Sequence, residues 1–331
     1  MAKHYSYENR EPRTPNRKKR KSPVKSAIYT FLFLICLAVF LGSGWILVDK
    51  MLIKPAVNEA VNNDIRDQFS ELLNKQDPVS SDGQEAKPDP REAIRELAAT
   101  VNEDIVGWIT VDGTVIDYPV LHSSVDDPEH YLYRTYKDEY SAYGSIFLDA
   151  GCEITGDMQV LYGHSMNDGS MFRSLVEFGD PEVVAESPVI EYNTTEEASQ
   201  WLIISVIKTN IDPSQGEVFS YAQTGFSSAE EKREYLYEVM KRSMVDTGVT
   251  VNENDDLLLL STCSYEFDNF RTAVVARRVR DGETVTKTNV TSAEHTLYPD
   301  CWYNRYGGSA YPWPETLDEA VGQGLADWYD G

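Results

Sequence analysis

Residues 26–48, SAIYTFLFLICLAVFLGSGWILV, run for 23 positions without one charged side chain. A stretch of that length and apolarity has few structural outcomes. Coiled as an α-helix at about 1.5 Å per residue, it reaches across the ~30 Å hydrocarbon core of a bilayer with its backbone polar groups satisfied internally. A cleavable secretory signal has a shorter apolar region and a small-residue cleavage site, and neither is evident. The run reads as an uncleaved signal anchor. Its flanks orient it: residues 1–25 hold nine Lys or Arg, concentrated in RKKRK at 17–21, against Glu8 and Glu11. A basic flank stays inside, so the expectation is a single-pass cell-membrane protein, N-terminus cytoplasmic and C-terminal body extracellular.

The basic arm carries +7 of a chain whose net charge is −24, which leaves −31 on everything beyond it. A body that acidic does not hold nucleic acid through backbone phosphates, so no nucleic-acid partner is expected. The arm abuts a membrane span and reads as a topology signal. Cys36 lies in the span, and Cys152, Cys263 and Cys301 follow it. These are too few for a disulfide scaffold. An odd number outside leaves at least one thiol free or bound to another molecule, and a Cys152–Cys301 bridge stays open.

Past the span, Val57, Val61, Ile65, Phe69 and Leu72 recur at helical spacing. DPVSSDGQEAKPDP, at 77–90, is a polar linker bearing Pro and Gly. Asp89 as N-cap and Pro90 in the first turn signal a second helix with Ile94, Leu97, Ala98 and Val101 as its stripe. From about Ile105 the period turns from helical to extended. Eight strand-like runs follow: GWITV, TVIDYPV, GSIFLD, MQVLYGH, VIEYN, QWLIISVIK, DLLLLSTC and TAVVARRV. One clear helix interrupts them, opened by a capping box at Ser228 and Glu231 and faced by Tyr235, Leu236, Val239, Met240 and Met244. Many short strands with scarce helices make a mainly β domain, a closed barrel or a sandwich. The tail at 282–331 is rich in Tyr and Trp, with a short helix expected at LDEAVGQGLADWY.

The chemistry concentrates where strands end. In LLLLSTCSYEF, at 257–267, an apolar run gives way to polar residues around Cys263. A buried core thiol is the commoner fate of a free cysteine. A cysteine opening a polar loop is instead where a scaffold presents a functional group. At a reference pKa of ~8.5 such a thiol needs a base or cation beside it to act as a nucleophile. His164 ends another apolar strand, in MQVLYGHSMNDGSMF, and Arg271 opens the strand after the cysteine. If those two strands pair, a seven-residue loop brings Arg271 back beside the sulfur. Arg277, Arg278 and Arg280 read as ordinary exposed strand arginines. No H-E-x-x-H cluster and no phosphate-binding glycine loop occurs, so neither metal nor cofactor is expected.

YGHSM, LSTCSYEF and FRTAVVARR resemble the His, Cys and Arg motifs of the sortases, the membrane-anchored cysteine transpeptidases of Gram-positive bacteria. The segment from NEDIVGWITV to GSIFLD, the N-terminal helices and the helix inserted before the Cys strand resemble class B in particular. The resemblance covers about residues 90–280 and implies an eight-stranded closed barrel. It implies cleavage of a C-terminal sorting signal on secreted proteins and transfer to an amine of a peptidoglycan precursor or pilin. Cys263 would be the nucleophile, His164 the acid and base, and Arg271 the oxyanion or substrate-backbone donor. Ser261 matches the Ser of the family's S-x-C pattern and shares a strand face with Cys263. Leu132, in EHYLYR, matches a groove residue, and Pro128 stands where some members carry Asn. The implied layout is arm 1–25, anchor 26–48, helical stalk and linker 49–88, catalytic domain 89–281 and aromatic extension 282–331. A surface adhesin or scaffold would fit the anchor and acidity but leave the three strand-end residues unexplained. An L,D-transpeptidase would show an S-x-G-C signature, which is absent.

Overall fold

The computed structural model describes residues 23–76, 88–285 and 289–331. The basic arm up to residue 22 and most of the linker, 77–87, lie outside the described residues. Contacts divide the chain into two units, 1–56 and 57–331. The first is built on α1 (Pro23–Val48), followed by a five-residue π-helical turn at Asp49–Ile53. Among the described residues, one helical stretch, starting at Ala27, is long and apolar enough to cross a membrane.

The second unit opens within α2 (Lys54–Lys75) and continues through α3 (Pro90–Thr100), where Asp89 accepts a hydrogen bond from the Arg91 N–H as N-cap. Next come β1 (Ile105–Thr110), β2 (Asp117–His122), β3 (Ile146–Leu148) and β4 (Met158–Tyr162). A short α4 (Pro181–Glu186) precedes β5 (Val189–Thr194) and β6 (Gln200–Asn210). Then come α5 (Ala229–Lys241), β7 (Val245–Asp246), β8 (Leu257–Ser264) and β9 (Phe270–Arg278). The chain finishes with β10 (Thr291–Ser292), α6 (Asp300–Tyr306) and α7 (Leu317–Gly322). Eight strands close into a barrel in the order β1-β2-β3-β4-β8-β9-β6-β5, and β7 with β10 forms a separate two-residue ladder. All eight extended runs of the sequence are barrel strands.

The barrel interior holds the main apolar core, with Ile109, Val120, Leu161, Val206, Leu260 and Val274 buried on one face of the sheet. A second core lies where α2 and α3 meet β1: Phe69 stacks on Trp108 with ring centroids 4.1 Å apart, beside Ile65, Ile94 and Leu97. That contact explains the helical stripe, except that Val57, in the first turn of α2, is 58% exposed. Ser228 caps α5 as expected, but the Glu231 carboxylate bonds the N–H and hydroxyl of Ser227, one residue earlier than a regular capping box. The arginines taken as exposed are not free. Arg277 is 2% exposed and pairs through both ends of its fork with Glu283, which this pairing holds at a pKa of about 2. Arg278 pairs with Glu197, and Arg280 with Asp255 and Asp330 of the tail. No disulfide forms: all four cysteines are free, and Cys152 is buried.

Candidate active site

Two barrel pairings are parallel, β2 with β3 and β4 with β8, and the second builds the site. Parallel neighbours end at the same rim. The register Tyr162 opposite Ser261, continued two residues, sets His164 abreast of Cys263. Past the regular ladder the two chains stay tied. The Gly163 N–H donates to the Ser261 carbonyl at 3.2 Å, and Thr262 Oγ1 donates to the Gly163 carbonyl at 2.7 Å. On its other side β8 pairs antiparallel with β9, with Cys263 opposite Arg271. Neighbouring strands lie about 4.8 Å apart. The cysteine is therefore flanked by histidine on one strand and arginine on the other. The connecting turn, 265–269, has five residues rather than seven, because the ladder extends one rung past the Cys263–Arg271 pair.

Cys263, His164 and Arg271 line one cavity of about 520 Å³, and Ser261, Leu132 and Pro128 line it too. Cys263 is half-buried and forms part of the cavity wall. Cys152 contrasts with it: burial pushes that thiol up to about 12. Leu132 sits on a 3₁₀ turn, His130–Tyr133, and its carbonyl accepts from His164 Nε2 at 2.8 Å. A carbonyl only accepts, so Nε2 carries the proton and Nδ1 holds the lone pair of the neutral ring. Burial drives the His164 pKa below 6.5, and the hydrogen bond to Leu132 opposes that shift. Arg271 spends one N–H on the Phe270 carbonyl at 3.1 Å. A guanidinium has five such donors, so most of its fork stays available on the cavity wall.

The sequence did not disclose several wall residues. Tyr221, in the loop before α5, is buried, with its hydroxyl 3.0 Å from Ser261 Oγ. Its carbonyl accepts from the Tyr235 hydroxyl of α5 at 2.7 Å. The helix inserted before the Cys strand thus sets a phenol against the residue two before the cysteine. Nothing marked it among 20 tyrosines. Glu129 and Asp149 bring two carboxylates to the wall, and Asp149 accepts from the Tyr162 hydroxyl at 3.0 Å. Tyr162 had a signal: it lies two residues before His164 in an alternating strand.

No family model matches the chain. A sortase B of Listeria monocytogenes is 31% identical to it over 266 residues, which is 80% of this chain and 99% of that one. The chain belongs to the class B sortases. A sortase B of Staphylococcus aureus is 29% identical over 189 residues, 56% of this chain and 74% of that protein. The solved S. aureus sortase B–substrate complex superposes on this sortase with a TM-score of 0.58 at 26% identity, covering 69% of this chain and 99% of that chain. The closed barrel with its N-terminal helices is the sortase fold. The molecule is accordingly a cysteine transpeptidase and not an adhesin or passive scaffold.

Proposed function

We propose that this sortase cleaves a C-terminal sorting signal on secreted proteins and joins the new C-terminus to an amine of the cell wall or of a pilin. His164 Nδ1 takes the proton of the Cys263 thiol, and the resulting thiolate adds to the carbonyl carbon of the motif's Thr. The C–N bond breaks, the acyl group stays on sulfur as a thioester, and His164 hands a proton to the departing amine. The incoming amine then displaces the sulfur, giving its proton to His164 and regenerating the thiolate with a new amide. Arg271 donates to the oxyanion of each tetrahedral intermediate, a task suited to a rigid and permanently charged fork. Ser261 and Leu132 line the path of the motif. The N-terminal run holds the enzyme at the membrane as a single-pass helix, with the basic arm in the cytoplasm and the barrel outside. The segment at 89–281 is the catalytic domain, and 282–331 is an appendage to it.

The observation that carries this reading is the placement of Cys263 between His164 and Arg271 at one barrel rim, in the wall of a peptide-sized cavity. The test is to incubate the full chain in detergent with peptides ending in sorting-like motifs and an amine acceptor. Wild type should form the new amide and a hydroxylamine-sensitive adduct on Cys263. Transfer surviving in Cys263→Ala would sink the scheme.

A further inference from the structure

The five-residue turn between Cys263 and Arg271 is held from four different parts of the chain. The Tyr265 hydroxyl donates to the Ser165 carbonyl at 2.7 Å, bridging to the segment just after His164. Glu266 pairs through its carboxylate with Lys208 of β6, and its backbone carbonyl accepts from Arg305 Nη1 of α6 at 3.1 Å. The Phe267 ring packs 5.1 Å from Phe270 and 6.3 Å from Trp302 of α6, and the Arg305 guanidinium sits 5.3 Å from its centroid. The Asp268 carbonyl accepts from Gln215 at 2.7 Å, and Asn269 takes the left-handed conformation at φ 58°. Trp302 also lies nearly parallel to Phe270, the neighbour of Arg271, at 6.3 Å. α6 is braced in turn, since Tyr298 stacks on Trp302 at 4.3 Å.

A hairpin's last rungs are the ones that fray, and here they are Cys263–Arg271 and Ser264–Phe270. We infer that the C-terminal extension is an intramolecular clamp on this turn, with Trp302 and Arg305 as positioning residues that hold Cys263 and Arg271 in register. The inference rests on the reading of Cys263 and Arg271 as the reacting pair. Neither clamp residue lines the cavity. Their removal therefore acts on the geometry of the reacting groups and spares the motif's binding surface. Misplacement of reacting groups by ~1 Å costs on the order of 100-fold in rate, so partial loosening should be plainly measurable.

The test compares the full chain with Arg305→Ala, Arg305→Lys and Trp302→Ala in the transfer assay. Arg305 is exposed, so its variants keep the fold even if Trp302→Ala does not. The clamp requires kcat to fall about tenfold in Arg305→Ala with KM and melting temperature unchanged. Arg305→Lys, which keeps a donor and a cation above Phe267, should restore most of it. A kcat within threefold of wild type, a loss expressed in KM, or a loss that follows the folded fraction overturns the clamp. Cys263→Ala run in parallel separates the two failures: if it is inactive while Arg305→Ala is normal, only the clamp falls.

Discussion

His130 and His164 meet the same short 3₁₀ turn and shift in opposite directions. Burial disfavours the imidazolium of His164 and lowers its pKa from 6.5. His130 lies 3.0 Å from Asp127 and 2.7 Å from Asp138, and these carboxylates raise its pKa. The linkage signs therefore differ. His164 takes up its proton more readily unfolded than folded, so it subtracts stability as pH falls below about 6.5. His130 adds stability that is complete below that pH and is lost as pH rises through its raised folded value. Two opposed contributions blur a global melt, so the measurement is an NMR titration of each ring. His164 should show a midpoint below 6.5 and His130 one above it; the reverse order would contradict the geometry. At Arg271 the issue is shape. Removing one oxyanion donor costs about 10²–10³ in kcat, so Arg271→Ala should fall by that factor. Arg271→Lys should recover little, because an ammonium is a point charge without the fork. A Lys variant turning over near the wild-type rate would remove Arg271 from its assigned role. At this scale the strand-end polar residues were legible because each interrupts an apolar run. Tyr221 was not, since its partner Ser261 is distant in sequence.

Among the elements, β4 and β8 matter most, and the join between β4 and His164 is tight. A Cβ on Gly163 would stand 2.5 Å from Ile146 Cδ1 and 2.7 Å from the Phe172 ring. Both neighbours are buried, so neither can move away cheaply. Gly163→Ala should destabilise the fold by about 1–3 kcal/mol, the usual range for overpacking a dense core. It should also lower transfer by displacing the adjoining His164. Denaturant unfolding and the transfer assay on one preparation check both, and an unchanged variant would show that the rim tolerates a shift. The helices were legible from caps and periodicity: Asp89 with Pro90, and Ser228 before α5. Short α4 and α6 were missed because six or seven residues show too little periodicity to register, although the six-residue α7 falls within the helix expected at LDEAVGQGLADWY. Arg277 was misjudged for a related reason. Strand alternation tells which face a residue takes, but the pairing with Glu283 that lets a guanidinium be buried there is a tertiary fact.

For the whole molecule, the apolar helix and the barrel make separable demands. If the apolar helix serves only to hold the enzyme at the membrane, deleting residues 1–53 should leave a protein that stays in the supernatant after ultracentrifugation and still transfers. The full chain should sediment with membranes and need detergent for release. A truncated protein that still pellets, or a full chain free in the supernatant, would end the anchor proposal. The barrel brings its own helix-packed core, Phe69 on Trp108 with Ile65 and Leu97, which the deletion leaves intact.

Hydrophobic period and capping act between residues a few positions apart, so the sequence alone settled the apolar helix, α2, α3, the eight extended runs and the polar residues at their ends. Which strand lies beside which is not a local property. The parallel pairing of β4 with β8, separated in sequence by β5, β6 and α5, comes from closing all eight strands around one apolar core. That closure sets His164 beside Cys263, turns Tyr221 onto Ser261, and brings α6 against the turn between Cys263 and Arg271.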